Sequence, residues 1–213
     1  MACRFAAAAA LSLALWSGAS FADAPGDFDY YVLSLSWNAS WCAAEGDARD
    51  APQCDPREEF GFVLHGLWPQ HERGWPEWCR SAHPDPARRE TAAMADVMGS
   101  GGLAWHQWKK HGRCSGLSPR AYFALSRRAF DSVARPPALR ALTRPVEIAP
   151  EVIEAAFLEA NPGMTPDGVT VTCAEGLFRE VRICLTRDLA PRPCAPDAAR
   201  DCPARMIDLP PMR

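Results

Sequence analysis

"FVLHGLWPQ", residues 62–70, is an apolar, strand-like run interrupted by a histidine and a glycine. Phe62, Val63, Leu64 and Leu67 have the bulk that suits a pleated, buried surface. A histidine in such a run is ordinarily a hydrogen-bonded core residue. Gly66 lets a ligand or another backbone come close to His65, and Trp68 followed by Pro69 offers an aromatic face at the strand end. Outward from this stretch, "FDYYVLSLSW" (28–37) has the same strand character, and "GVTVTC" (168–173) and "LFREVRICL" (177–185) flank a turn at Glu175 and Gly176. Helical spacing marks "ARRETAAMADVMG" (87–99), "SPRAYFALSRRAFDSV" (118–133) and "APEVIEAAFLEANPG" (149–163). In the second of these Ser118 is the expected cap and Pro119 fills the first turn. Strands and helices mix without regular βαβ alternation, internal repeat or long linker, so the expected fold class is α+β.

A second stretch, "WHQWKKHGRC" (105–114), carries more ionisable groups than a core segment usually does. On a helical wheel with His106 at zero, Lys110 falls at about 40°, Gln107 at about 100° and His111 at about 140°. Trp105, Trp108 and Gly112 fall on the other side, where they can pack on a core. Gly112 reads as the helix stop. The bland alternative is a charged face that is merely solvated. Two histidines on one face make a costly choice for solubility alone.

The bounds of the chain narrow the class. "MACRFAAAAALSLALWSGASFADA" has one basic residue, Arg4, then an apolar run and small residues, the pattern of a signal peptide over residues 1–22 with Ser20 and Ala22 suiting cleavage. Its apolar run is short for a membrane span, and no later segment approaches one. Residues 23–213 suit a single domain with its own core. Losing the leader removes Cys3 and leaves eight of the nine cysteines, an even number that suits disulfides in an oxidising compartment. No CxxC pair suggests a zinc site, and spacing alone does not choose among the possible pairings. The net charge of −3 becomes one unit more negative without Arg4. Such a chain is not built to coat nucleic acid non-specifically, so an anionic substrate needs a local basic site such as Lys109, Lys110 and Arg113.

If His65 faces His106 and His111, the result is a three-histidine site with a lysine. Three imidazoles are a common zinc shell, but Lys110 would repel the dication, and neither histidine segment contains Asp or Glu. Phosphate chemistry fits better. One imidazole can act as base and another, protonated, as acid, while lysine and the third histidine balance charge on phosphoryl oxygens. With the 2′-hydroxyl of RNA as internal nucleophile, no metal or other cofactor is required.

"FVLHGLWP" and "WHQWKKHGRC" together resemble the two active-site segments of the ribonuclease T2 family. "YYVLSLSW" before Cys42 and "LFREVRIC" resemble that family's flanking strands, so the likeness spans roughly Tyr30 to Cys194. The resemblance implies a central antiparallel sheet with flanking helices, stapled by disulfides. It implies that His65 protonates the leaving 5′-oxygen, His111 takes the 2′-hydroxyl proton, His106 binds phosphate, Lys110 stabilises the pentacovalent state and Trp68 stacks on a base. One departure stands out: Gln107 occupies a position where the family commonly has glutamate. By resemblance the expected pairs are Cys42–Cys54, Cys79–Cys114 and a nested Cys173–Cys202 around Cys184–Cys194.

Two function classes follow. One is a metal-independent endoribonuclease that cuts single-stranded RNA, not DNA, through a 2′,3′-cyclic phosphate. The other is an exported binding protein that holds RNA or another phosphate ligand without turnover, a reading that only Gln107 favours. Either is expected to be a monomer, periplasmic or extracellular, with no membrane partner. His71 follows Pro69 closely enough to border the site but reads rather as a surface-loop residue, His83 has no assigned role, and Asn38-Ala39-Ser40 is a glycosylation sequon that matters only in a glycosylating host.

Overall fold

The computed structural model describes residues 24–212; the expected signal peptide lies outside them. In chain order the elements are β1 (Tyr30–Trp37), α1 (Asn38–Trp41), β2 (Phe62–Gln70), α2 (Arg88–Ala92), α3 (Ala95–Met98), α4 (Gly101–Lys110), α5 (Pro119–Ser132), α6 (Pro137–Arg140), β3 (Val146–Ile148), α7 (Pro150–Ala160), β4 (Val169–Ala174), β5 (Leu177–Leu185) and β6 (Ile207–Leu209). β1 lies between β2 and β5 and is antiparallel to both, and β5 also pairs antiparallel with β4. β6 pairs antiparallel with β3 and meets β5 in parallel at Leu177 and Asp208, the one departure from an antiparallel sheet among the described residues. The α+β class holds.

Period-two alternation decides what each face of β1 meets. Tyr31, Leu33, Leu35 and Trp37 enter the main core, where α4, α5 and α7 contribute Trp108, Tyr122, Phe123, Ile153 and Phe157. Phe62 stands at its centre, with ring centroids 4.8 Å from Trp37 and 5.2 Å from Phe157. Ser34 and Ser36 alternate to the opposite face of the sheet, the side from which the site opens. Helix starts follow the local chemistry. Ser118 Oγ accepts from Ala121 N at the start of α5, and Ser100 Oγ accepts from Leu103 N at the start of α4.

The expected helix at 87–99 is divided into α2 and α3, which are too short to stand on their own hydrogen bonds. Met94 and Met98, both buried, pin them to the core. All four disulfides join the expected pairs, and Cys184–Cys194 with Cys173–Cys202 holds the proline-rich tail against β4 and β5. Asn38 is buried, accepting from Gln53 Nε2 and donating to the Gln53 carbonyl, so the sequon is turned inward. Among the described residues no helix is long and apolar enough to cross a membrane.

Candidate active site

A β-bulge sets the first half of the site. Ser34 pairs with Gly66 and Leu35 with Leu64, which leaves His65 as an extra residue on β2. Leu64 and Leu67 can therefore both enter the core while His65 and Trp68, three residues apart, both line a cleft on the other face. Without the bulge, strict alternation would send Trp68 to the side opposite His65.

The second half comes from the end of α4. His106, Gln107, Lys110 and His111 line the same cleft of about 390 Å³ as His65 and Trp68, so all six residues singled out in the sequence converge. Trp68 Nε1 donates to Gln107 Oε1 at 2.7 Å, joining the two segments. A Cβ on Gly66 would lie 2.2 Å from Trp68 Nε1 and 2.4 Å from Gln107 Oε1. The close approach anticipated at Gly66 is thus made by this side-chain pair. The Trp68 ring also lies 5.3 Å from that of His111, tilted by 30°, and edge-on to His65 at 5.2 Å.

Two local expectations need correction. Trp105 is 38% exposed and is not part of the core, to which α4 instead turns Ala104 and Trp108, with Leu103 packed partly against it. Gly112 does not stop α4 through a left-handed conformation; the positive φ is at Gly116, while a Cβ at Gly112 would strike Trp108 and Tyr122. Glu77 Oε2 lies 3.4 Å from Lys110 Nζ and supplies a counter-charge from outside both histidine segments. Arg113 is directed away from phosphate chemistry by a two-oxygen contact with Asp85, which also accepts from Trp108 Nε1. His71 is a half-buried loop residue 3.9 Å from Asp29, and His83 lies exposed in its loop.

Sequence reasoning missed several neighbours. Glu180, buried on β5, accepts from His65 Nδ1 and from Ser36 Oγ, and Arg182 donates to its second oxygen at 3.0 and 3.1 Å. Glu180 and Arg182 stand two apart in "LFREVRICL", a spacing that signals a shared strand face, but only the β1–β5 register shows that His65 is opposite. Trp78, 50% exposed, stands edge-on to His106 at 5.7 Å. Its backbone N–H donates to the Lys110 carbonyl, an otherwise orphaned group at the helix end, and Cys79–Cys114 clamps the same loop. Trp78 holds a φ of 56° there, a left-handed conformation rare for a bulky residue.

The electrostatics differ from one histidine to the next. Burial, with added repulsion from Lys110, His65 and His106, pushes His111 down to about 3 and leaves it neutral. Burial and repulsion from Lys110, His65 and Lys109 lower His106 as well. Burial alone would raise Glu180, but the hydrogen bond and charge of His65, together with Arg182, outweigh it and hold the carboxyl at about 2. His65, His106 and His111 do not gather their ring nitrogens as a metal shell would. Among the described residues such a gathering is met by Cys42, Asp47 and Cys54, and those two sulfurs are already bonded to each other.

Comparison with known proteins places this arrangement. The chain is 45% identical over 101 residues to a ribonuclease of Aeromonas hydrophila, covering 47% of this chain and 44% of that protein. It is 33% identical over 137 residues to ribonuclease I of Escherichia coli strain K12, covering 46% and 51%. The chain thus spans about half the length of these curated relatives. An RNase-related protein from Calystegia sepium has the same fold, with a TM-score of 0.68 at 22% identity over 86% of this chain and 97% of that one. The model of the ribonuclease T2 family matches residues 28–194, a span that takes in both histidine segments, β4, β5 and all eight disulfide-bonded cysteines but Cys202. The chain belongs to the ribonuclease T2 family.

Proposed function

We propose that this protein is an endoribonuclease that cleaves single-stranded RNA by metal-independent transphosphorylation. The observation that carries the reading is the convergence of His65, His106, Gln107, Lys110 and His111 beside Trp68 in one cleft. His111, neutral because it is buried, takes the proton of the 2′-hydroxyl. The 2′-oxygen attacks phosphorus, and the 5′-oxygen leaves with a proton from His65. The product is a 2′,3′-cyclic phosphate, hydrolysed more slowly with the two roles exchanged. Lys110 and His106 balance charge on the phosphoryl oxygens. The exposed part of the Trp68 ring stacks on a base, with Gln107 fixing its plane.

The nucleophile belongs to the substrate, so neither cofactor nor DNA cleavage is expected. Residues 23–213 act as one catalytic domain, as a monomer, after export to the periplasm or the medium; four disulfides support the oxidising compartment. The test is cleavage of an RNA oligonucleotide in EDTA with identification of the ends. Cyclic phosphate ends and intact single-stranded DNA are expected. Metal dependence or comparable DNA cutting would overturn the scheme, and RNA binding without turnover would favour the binding-protein reading.

A further inference from the structure

The carboxylate beside His65 has no part in the scheme above, yet it is among the most deeply buried charges of the site. We propose that Glu180 is a positioning residue for RNA cleavage, fixing His65 with its proton on Nδ1 so that Nε2 faces the leaving oxygen. The proposal rests on the acid role given to His65.

Hydrogen-bond supply fixes which nitrogen carries the proton. An ionised carboxylate has only acceptors, and Arg182 has only donors. Arg182 occupies Oε2 through Nε and Nη2, while Ser36 and His65 Nδ1 share Oε1. With Glu180 anionic, Nδ1 must be the donor, and Nε2 is the nitrogen left for substrate. The bulge at His65 is what brings the ring to β5, because a regularly paired residue would be held in the ladder with β1. The surrounding charges do not duplicate the role. On the α4 side His65 faces His106, Lys110 and His111, all cationic when protonated, and each disfavours an imidazolium. On the sheet side, Arg179 is paired with Glu45. Among the described residues, Glu180 is the carboxylate hydrogen-bonded to His65.

Glu180→Gln tests this with one atom changed. Arg182 needs an acceptor, so the amide oxygen turns to it and the amide NH₂ turns to His65 Nδ1. That arrangement stabilises a neutral imidazole with its proton on Nε2, which cannot act as an acid near neutral pH. We expect kcat to fall by about 10²-fold, the low end of a general acid's contribution, with KM changed far less. The basic limb of the pH–rate profile should move to lower pH, and nitrogen NMR should show His65 changing tautomer. Glu180→Asp keeps the charge and, if the glutamine variant does not fold, carries the test: its basic limb should remain near that of the parent while kcat falls. A glutamine variant with unchanged kcat and an unchanged basic limb would overturn the proposal, as would an aspartate variant that loses kcat only through unfolding. Failure of the parent protein to cleave RNA would instead overturn the function on which it rests.

Discussion

His65 stands on a strand, half-exposed, with a buried carboxylate at its Nδ1; His111 ends a helix, buried, with the same atom enclosed and without a hydrogen-bond partner. One environment supplies a counter-charge and the other withholds both solvent and counter-charge. At the second, burial disfavours an imidazolium and the pKa is pushed down to about 3. Two chemically identical side chains that border one cleft thus have different surroundings, a difference that the proposed assignment of one as acid and the other as base uses. The strand and the helix matter because they bring different neighbours. β2 lies beside β1 and thus within reach of β5, the source of Glu180, whereas α4 lies on the core and buries its own last turn.

The harshest way to break the pair is to delete either member. His65→Ala and His111→Ala should each lower kcat/KM by at least the ~10²-fold typical of an acid–base group, measured on a dinucleotide. If His65→Ala keeps nearly full activity, His65 is an ordinary paired histidine and the acid lies elsewhere.

Gly66→Ala breaks the seam between the two histidines without touching either. The new methyl would overlap Trp68 Nε1 and Gln107 Oε1, so the indole must move and its hydrogen bond is lost. Overpacking of this kind costs about 1–3 kcal/mol, and displacement of the Trp68 face should raise KM more than it lowers kcat. Thermal unfolding and steady-state kinetics measure the two parts. A variant with unchanged stability and KM would show that the Trp68–Gln107 contact is dispensable.

What the sequence disclosed and what it withheld divide along the same seam. The helical wheel of 105–114 put His106, Gln107, Lys110 and His111 on one side, and the apolar runs marked β1, β2, β4 and β5, since these patterns are local. β3 and β6 escaped because three-residue strands have no pattern of their own and exist only through pairing with other strands. The bulge at His65 is a property of two strands in register, and the arrival of Glu180 depends on a third. Glu77 reaches Lys110 because Cys79–Cys114 folds its loop onto the helix end. None of these is encoded within either histidine segment.

Acid titration of stability sharpens the contrast. His111 is held at about 3 against an ordinary 6.5, so the unfolded chain takes up its proton first. Stability from this group is full above pH 6.5 and is lost as the pH falls toward 3. Glu180, held at about 2 against an ordinary 4.5, contributes stability above pH 4.5 that is lost as the pH falls toward 2. His111→Leu should therefore flatten the fall of Tm between pH 6.5 and 4.5, and Glu180→Gln should flatten it only below that. Equal effects of both variants across the whole range would mean that the two groups titrate together.

The smallest expected effect concerns Gln107, where the family commonly has glutamate. The amide oxygen accepts from Trp68, and a carboxylate oxygen can accept the same bond, so Gln107→Glu leaves the seam intact. What changes is charge: an anion arrives on the turn of helix that carries His106, Lys110 and His111. Glu77 already balances Lys110 from the loop, but neither His106 nor His111 has a carboxylate among its strongest influences. An added anion favours the protonated form of nearby histidines and raises their pKa. The parent protein should therefore show a basic limb at lower pH than the glutamate variant, with the acid limb displaced in the same sense. Burial of residue 107 works against the effect by penalising the new charge, which is why the displacement is expected to be modest. pH–rate profiles of both proteins on one dinucleotide decide the matter. A variant profile that stays in place or moves to lower pH would show that position 107 acts on the site through its bond to Trp68 and not through charge.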